Sequence, residues 1–401
     1  FKSAQANGEY KDFYVWKRVS DVQGDHNYVV NADGDEYAYL AYERKNPVLN
    51  WTNPRVRENI LEAAKGFLNL GVDGFHVAHV SQIMKQQQAF QGRAALSMLS
   101  EFIQNLRQYV SSNETLGGRE LAVFSTLDDL VELHDLNSTE YSSSNLTYVI
   151  DNSASGINNE SCLNEIPKCL YSTLYASLEL FENSQLPHAW QFSSYHGSRL
   201  STRFGQATAN LLTLVQLSLP GAAEIYYGQE LGLEDTADPA NSYTGLMHWD
   251  DSVYAGFTAE NEKPFFSTAR NYKENNFAAQ LKAYHSPLKT FKAVAKLRQR
   301  DDHFVLGETR MAPLVENVIL FSRFQRVSNA TAGGAYLIAA NFGSSNVEVN
   351  GTLVMPDDRL NAMAEIVVTT SNVEQYSTRD RMELLHQKLL LQPKQGIILR
   401  F

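Results

Sequence analysis

Between residues 51 and 227, short apolar strands alternate with amphipathic helices, and this pattern constrains the chain more than any other feature. The alternation starts at Asn53, a good helix cap, followed by Pro54, which fits a first turn. Val56, Ile60, Ala63, Phe67 and Leu70 then recur at helical spacing and predict the buried stripe. A strand-like run, Gly74-Phe75-His76-Val77-Ala78, leads to a second helix with Leu96, Leu99, Ile103, Leu106 and Val110 on one face. The strand Leu121-Ala122-Val123-Phe124, a helix near Leu174 to Phe181 and a strand near Trp190 follow. A helix over Arg203 to Leu219 and the strand Glu224-Ile225-Tyr226-Tyr227 complete the series. Alternation of this length predicts a β/α barrel. Beyond Arg298 the pattern changes to strands separated by Gly, Asn and Ser turns, as at Val318–Phe321, Tyr336–Ala340 and Gly396–Phe401. Residues 51–300 are therefore assigned to the barrel and 301–401 to a C-terminal all-β domain, an antiparallel β-sandwich. Residues 1–50 are aromatic-rich and show no helical period.

A chain of 401 residues with 43% hydrophobic residues is long enough for a barrel plus a smaller unit. Its formal net charge of -11 argues against nucleic acid and anionic membrane surfaces as partners. The best apolar run, Leu211 to Tyr227, is interrupted by Gln216, Pro220 and Glu224 and is no membrane span. The sequence opens on Phe1, without a signal-peptide pattern. Cys162 and Cys169, the only cysteines, share one polar loop and predict a small disulfide, with two free thiols as the alternative. No His or further Cys lies near them, so no metal site is predicted, and nothing calls for a cofactor. Asn-x-Ser/Thr sequons stand at Asn50, Asn113, Asn137, Asn145, Asn159, Asn329 and Asn350. With the cysteine pair they favour an extracellular or secreted protein.

Several segments resemble the maltase or α-glucosidase branch of glycoside hydrolase family 13, the α-amylase superfamily. They are Tyr10–Trp16, Leu49–Pro54, Gly71–Phe75, Pro220-Gly221 with Ile225–Gly232, His248–Phe257 and Ser286–Lys289, in the family's order along nearly the whole chain. The resemblance implies a (β/α)8 barrel followed by the β domain. It makes residues 1–50 the remnant of an insert after the third barrel strand. It also implies that the first strand–helix units lie outside this chain, so the missing part of the barrel is an expected partner, in the same or another chain.

The same resemblance points to lost chemistry. Retaining glycosidases use two carboxyl groups about 5 Å apart, one as nucleophile and one as general acid/base. In the family's fourth-strand signature the arginine falls on His76 and the nucleophilic aspartate on Ala78. The general acid falls on Phe124, and the motif Asn-His-Asp falls on Ser194, Tyr195 and His196. Asp128 and Asp129 are read as the start of a helix rather than replacements. No residue is therefore assigned a catalytic role.

Such a chain resembles the non-enzymatic heavy chains of heteromeric amino-acid transporters, type II membrane glycoproteins that escort a multi-span light chain to the cell surface. The expectation is a catalytically inactive, extracellular or cell-surface glycoprotein with such a transporter as partner. The alternative is a secreted maltase-like protein that binds sugar without cleaving it, with Tyr14, Trp16, Trp249 and Phe257 as stacking walls, or a weakly active α-glucosidase.

Overall fold

The computed structural model describes residues 8–25, 27–30, 37–42, 46–81, 92–131, 142–184, 186–328 and 330–401. Asn137 and Asn329 lie outside these residues. The chain divides into two units, Phe1–Val149 with Leu180–Leu186, and Ile150–Glu179 with Pro187–Phe401.

In the first unit, the aromatic-rich N-terminal region is more regular than its sequence suggests. β1 (Trp16–Arg18), β2 (Tyr28–Val30), β3 (Tyr37–Tyr42) and β4 (Asn46–Pro47) form a small antiparallel sheet, with β3 between β1 and β2. The strands are only two to six residues long, too short to announce a period-2 pattern. α1 (Pro54–Asn69) begins as predicted, with the Asn53 side chain accepting a hydrogen bond from the Arg55 N–H at 3.0 Å. Its buried stripe differs from the predicted one. Val56, Ala64 and Leu68 are buried, whereas Phe67 and Leu70 are exposed. The buried row steps by four residues, and each residue of offset swings a side chain about 100° away from it.

β5 (Gly74–His76), α2 (Gly92–Ser112), β6 (Ala122–Thr126) and α3 (Leu127–Val131) continue the alternation. β5 and β6 pair in parallel, Gly74 opposite Ala122 and His76 opposite Phe124. A Cβ at Gly74 would stand 2.1 Å from the Ala122 carbonyl oxygen, so only glycine fits. The predicted face of α2 is buried throughout: Leu96, Leu99, Ile103, Leu106 and Val110 join Val123, Leu130 and Val149 in one core.

The boundary between units falls within β7 (Tyr148–Asp151). Then follow α4 (Ile166–Ser184), β8 (His188–Gln191), α5 (Leu200–Phe204), α6 (Gln206–Ser218) and β9 (Ala222–Glu224). β8 and β9 pair in parallel. The single helix predicted over 203–219 is two helices, because Gly205 takes a positive φ of 78° and breaks the run. The last predicted strand ends early, at Glu224. Tyr226 and Tyr227 turn away to donate hydrogen bonds to the carbonyls of Tyr243 and Gly245 at 3.0 and 2.5 Å. Three further helices, α7 (Phe277–Lys282), α8 (Pro287–Arg300) and α9 (His303–Leu306), lead to the β domain.

That domain is antiparallel, as predicted. β10 (Glu308–Met311), β11 (Val318–Val327), β12 (Ala330–Asn341), β13 (Val347–Val349), β14 (Met363–Thr369), β15 (Arg381–Glu383), β16 (Leu389–Leu391) and β17 (Gly396–Arg400) build it. Six strands form one sheet in the order β10-β11-β12-β17-β14-β15, and β13 pairs with β16. Ile319, Phe321, Ile338 and Ile398 share a core with Leu211, Leu214 and Val215 of α6. The alternating residues Leu320, Leu337, Ala339 and Leu399 face a second core with Val354, Leu384 and Leu389. Both faces are covered, which explains why these strands read as continuous apolar runs. Among the described residues no helix is long and apolar enough to cross a membrane.

Candidate active site

The predicted site positions fall on strand ends and the loops that follow them, some in each unit. In the first unit, the parallel register places His76, the last residue of β5, directly beside Phe124 in the middle of β6. Their rings stack with centroids 5.2 Å apart, and Phe124 stacks in turn on Tyr148 at 4.6 Å. His76 and Ala78 are exposed and Phe124 is half-buried. Aromatic rings thus occupy these positions, and Ala78 presents only a methyl group.

The two carboxylates after β6 have other employment. Asp128, in the first turn of α3, accepts from the Asp129 N–H at 2.8 Å. Asp129 accepts the backbone N–H of His79 and, at 3.2 Å, the hydroxyl of Ser81. It thereby ties the segment after β5 to α3. Burial raises the Asp129 carboxyl above its ordinary pKa, outweighing the hydrogen bonds that oppose the shift. His79 adopts a positive φ of 61°, and the structure uses its backbone here.

In the second unit, Ser194, Tyr195 and His196 lie in the loop between β8 and α5. The His196 N–H donates to Ser194 Oγ at 3.3 Å, and the Tyr195 and His196 rings sit 3.8 Å apart. Tyr195 is exposed. This loop is held by a polar frame that sequence reasoning did not single out. Arg199, buried, donates to the Tyr227 carbonyl at 2.7 Å and lies over the rings of Tyr226 and Tyr227 at 4.6 and 4.7 Å. Asp235 accepts the Arg199 N–H at 2.8 Å and the Ser198 hydroxyl at 2.6 Å. Arg203 closes the frame through the carbonyls of Ser155, Ile157 and Phe192 at 2.7, 2.6 and 2.8 Å. Burial lowers the Arg203 pKa to about 10, which leaves it charged at neutral pH.

A second unforeseen feature is the fully buried pair Asp151–His188, with Oδ2 3.3 Å from Nδ1. Burial pushes the Asp151 carboxyl up. Hydrogen bonds from His188, Ser153 and Ser177, together with the His188 charge, outweigh it and hold the carboxyl below its ordinary pKa. The two residues come from β7 and β8, and no local spacing betrays them.

The four candidate stacking residues separate by unit. Tyr14 and Trp16 stand edge-on at 6.5 Å, and Trp16 packs against Tyr39 at 6.0 Å. Trp16 Nε1–H also donates to the Lys11 carbonyl at 2.9 Å, so this ring is built into the small sheet. Trp249, 46% exposed, packs edge-on against Phe277, and Phe257 is 50% exposed. The predicted disulfide is formed between Cys162 and Cys169. Among the described residues no cluster of His, Cys, Asp and Glu could hold a metal ion.

Residues 1–307 match the family described as alpha amylase, catalytic domain. Maltase A1 of Drosophila melanogaster is 31% identical over 48% of this chain and 35% of its own length. The salivary alpha-glucosidase of Aedes aegypti and Maltase A2 of Drosophila melanogaster are 24% and 22% identical over 100% of the chain and 76% of theirs. Among solved structures, the trehalulose synthase of Pseudomonas mesoacidophila superimposes with a TM-score of 0.75 at 18% identity, covering 100% of this chain and 80% of that one. The trehalose-6-phosphate hydrolase of Bacillus licheniformis gives 0.74 at 17% identity, with the same coverage. The fold is therefore the β/α barrel with a C-terminal β domain that the strand–helix alternation predicts. The match of more than half its length to the catalytic domain makes this chain a member of the α-amylase family.

Proposed function

We propose that this chain is a secreted, maltase-like protein that binds an α-glucoside without hydrolysing it. The observation that carries the reading is the ring stack of His76 at the end of β5, Phe124 within β6 and Tyr148 at the start of β7. With Ala78 beside it, the stack supports the loss of the nucleophile and of the general acid/base. Asp129 does not replace them, because its oxygens are committed to His79 and Ser81. Loss of an acid/base group alone costs about two to four decades of rate, and without a nucleophile the covalent route is gone.

Support for retained binding comes from the relatives, whose names are maltase and alpha-glucosidase, and from the half-exposed Trp249 and Phe257. The Cys162–Cys169 disulfide favours an oxidising, secretory environment. The escort-subunit reading rests on the sequence resemblance alone, and these relatives favour the maltase-like one. Calorimetric titration with maltose tests the proposal, with Trp249→Ala as comparison. Saturable binding of roughly millimolar strength, weakened by the substitution, is expected. No heat of binding to the folded protein would overturn the sugar-binding half of the reading.

A further inference from the structure

A cavity of about 730 Å3 opens in the second unit, outside the predicted site. Its walls come from the disulfide loop and the start of α4, from α5, and from the turns of the β domain. Its volume lies within the range of about 300–1,000 Å3 common for ligand pockets. Phe204 and Phe342 supply apolar surface, and Asn164, Asn317 and Lys168 supply hydrogen-bonding groups. This mixture suits a sugar, which has apolar ring faces and a polar rim.

Asn159, the first residue of the sequon Asn159-Glu160-Ser161, is itself part of the wall and is exposed. Other sequon asparagines differ. The side-chain amide of Asn50 donates to the Asp12 carbonyl at 3.1 Å, that of Asn113 to the Tyr109 hydroxyl at 3.3 Å, and that of Asn145 to Ser100 at 2.6 Å. Among the described residues no group occupies the Asn159 amide. Its loop is fixed by the Asn164 N–H donating to the Asn159 carbonyl at 2.9 Å and by the Cys162–Cys169 bond. Asn350 is also exposed but does not line the cavity, so it serves as an internal control.

We propose that Asn159 carries an N-linked glycan whose core sugars fold into this cavity and clamp the disulfide loop to the β domain. Attachment joins Asn159 Nδ2 to the anomeric carbon of a lipid-linked oligosaccharide. The bond from that carbon to the lipid diphosphate breaks, the diphosphate leaves with the electron pair, and Nδ2 gives up one proton. The inference does not depend on whether the barrel binds an α-glucoside.

The test uses the chain secreted from a glycosylating eukaryotic host, with glycopeptide mapping and endoglycosidase trimming of the folded protein. The expected result is an occupied Asn159 whose glycan is trimmed at least about tenfold more slowly than that on Asn350, because the enzyme must wait for local opening. Unfolding the protein should abolish the difference. Lys168→Ala, at an exposed wall residue, should speed trimming at Asn159 alone, and Ser161→Ala should remove the glycan while keeping the asparagine. An unoccupied Asn159 would overturn the proposal, as would equal trimming at both sites in the folded protein.

Discussion

The strand ends of the first unit and the loop after β8 in the second are held in different ways. Around β5 and β6 the rings of His76 and Phe124, at predicted catalytic positions, stack on one another, and His76 and Ala78 are exposed. After β8 lie the predicted positions Ser194 to His196. Their loop, however, is gripped from below by Arg199, Arg203 and Asp235, through named backbone carbonyls, N–H groups and a hydroxyl. A buried guanidinium that satisfies several carbonyls cannot be exchanged without leaving them unsatisfied. The stacked rings around β5 and β6 carry no such obligation to backbone carbonyls.

Arg203→Met is the severest test of this contrast. It strands the carbonyls of Ser155, Ile157 and Phe192, and about 2–4 kcal/mol of stability should be lost, read as a lower urea midpoint. A loss below about 0.5 kcal/mol would mean water replaces the arginine and the frame is not structural.

Replacing Cys162 and Cys169 by serine should cost about 2–3 kcal/mol in the chain-entropy description of so short a loop. Differential scanning calorimetry checks this, and an unchanged midpoint would show that the loop is fixed by other contacts.

Phe124→Ala, in the first unit, should cost less, about 1–3 kcal/mol, since the ring is only half-buried and stacks on two neighbours. A larger loss than in Arg203→Met would invert the comparison.

The subtlest prediction concerns pH. The Asp129 carboxyl has a raised native pKa, so its native state binds more protons than the unfolded chain. Its stability contribution is complete below the unfolded value, near 3.9, and is lost as pH rises through the native one. The Asp151 carboxyl has a lowered native pKa. Its contribution is present above the unfolded value and is lost as pH falls through the native one. Thermal melts between about pH 2.5 and 6 should therefore respond in opposite senses. Asp129→Asn should remove a decline with rising pH, and Asp151→Asn a decline with falling pH. Equal profiles for the two variants would contradict the assigned environments.

Much of this architecture was legible because it rests on long periodic segments. The α2 stripe from Leu96 to Val110 keeps one helical period over many residues, and β11, β12 and β17 carry unbroken apolar runs. Boundaries set by single residues were less legible. Gly205 divides one predicted helix, and the two tyrosines after β9 leave their strand for hydrogen bonds to Tyr243 and Gly245. The positions compared with the family's catalytic residues were read from their place in a motif. Asp151–His188 and the Arg199–Asp235 frame were missed because each joins residues far apart in sequence. Their partners become neighbours only once the strands and the loops that follow them are laid side by side.

The central claim is that α-glucoside chemistry has been lost while the fold is kept. It is tested most directly by release of p-nitrophenol from p-nitrophenyl α-glucoside by the purified protein, across about pH 4 to 8, beside Asp129→Asn. The account predicts no saturable release above buffer for either protein, at least about four decades below an active homologue. Saturable turnover by the unmodified chain that disappears in Asp129→Asn would contradict it, and would make Asp129 a catalytic carboxylate rather than a tether.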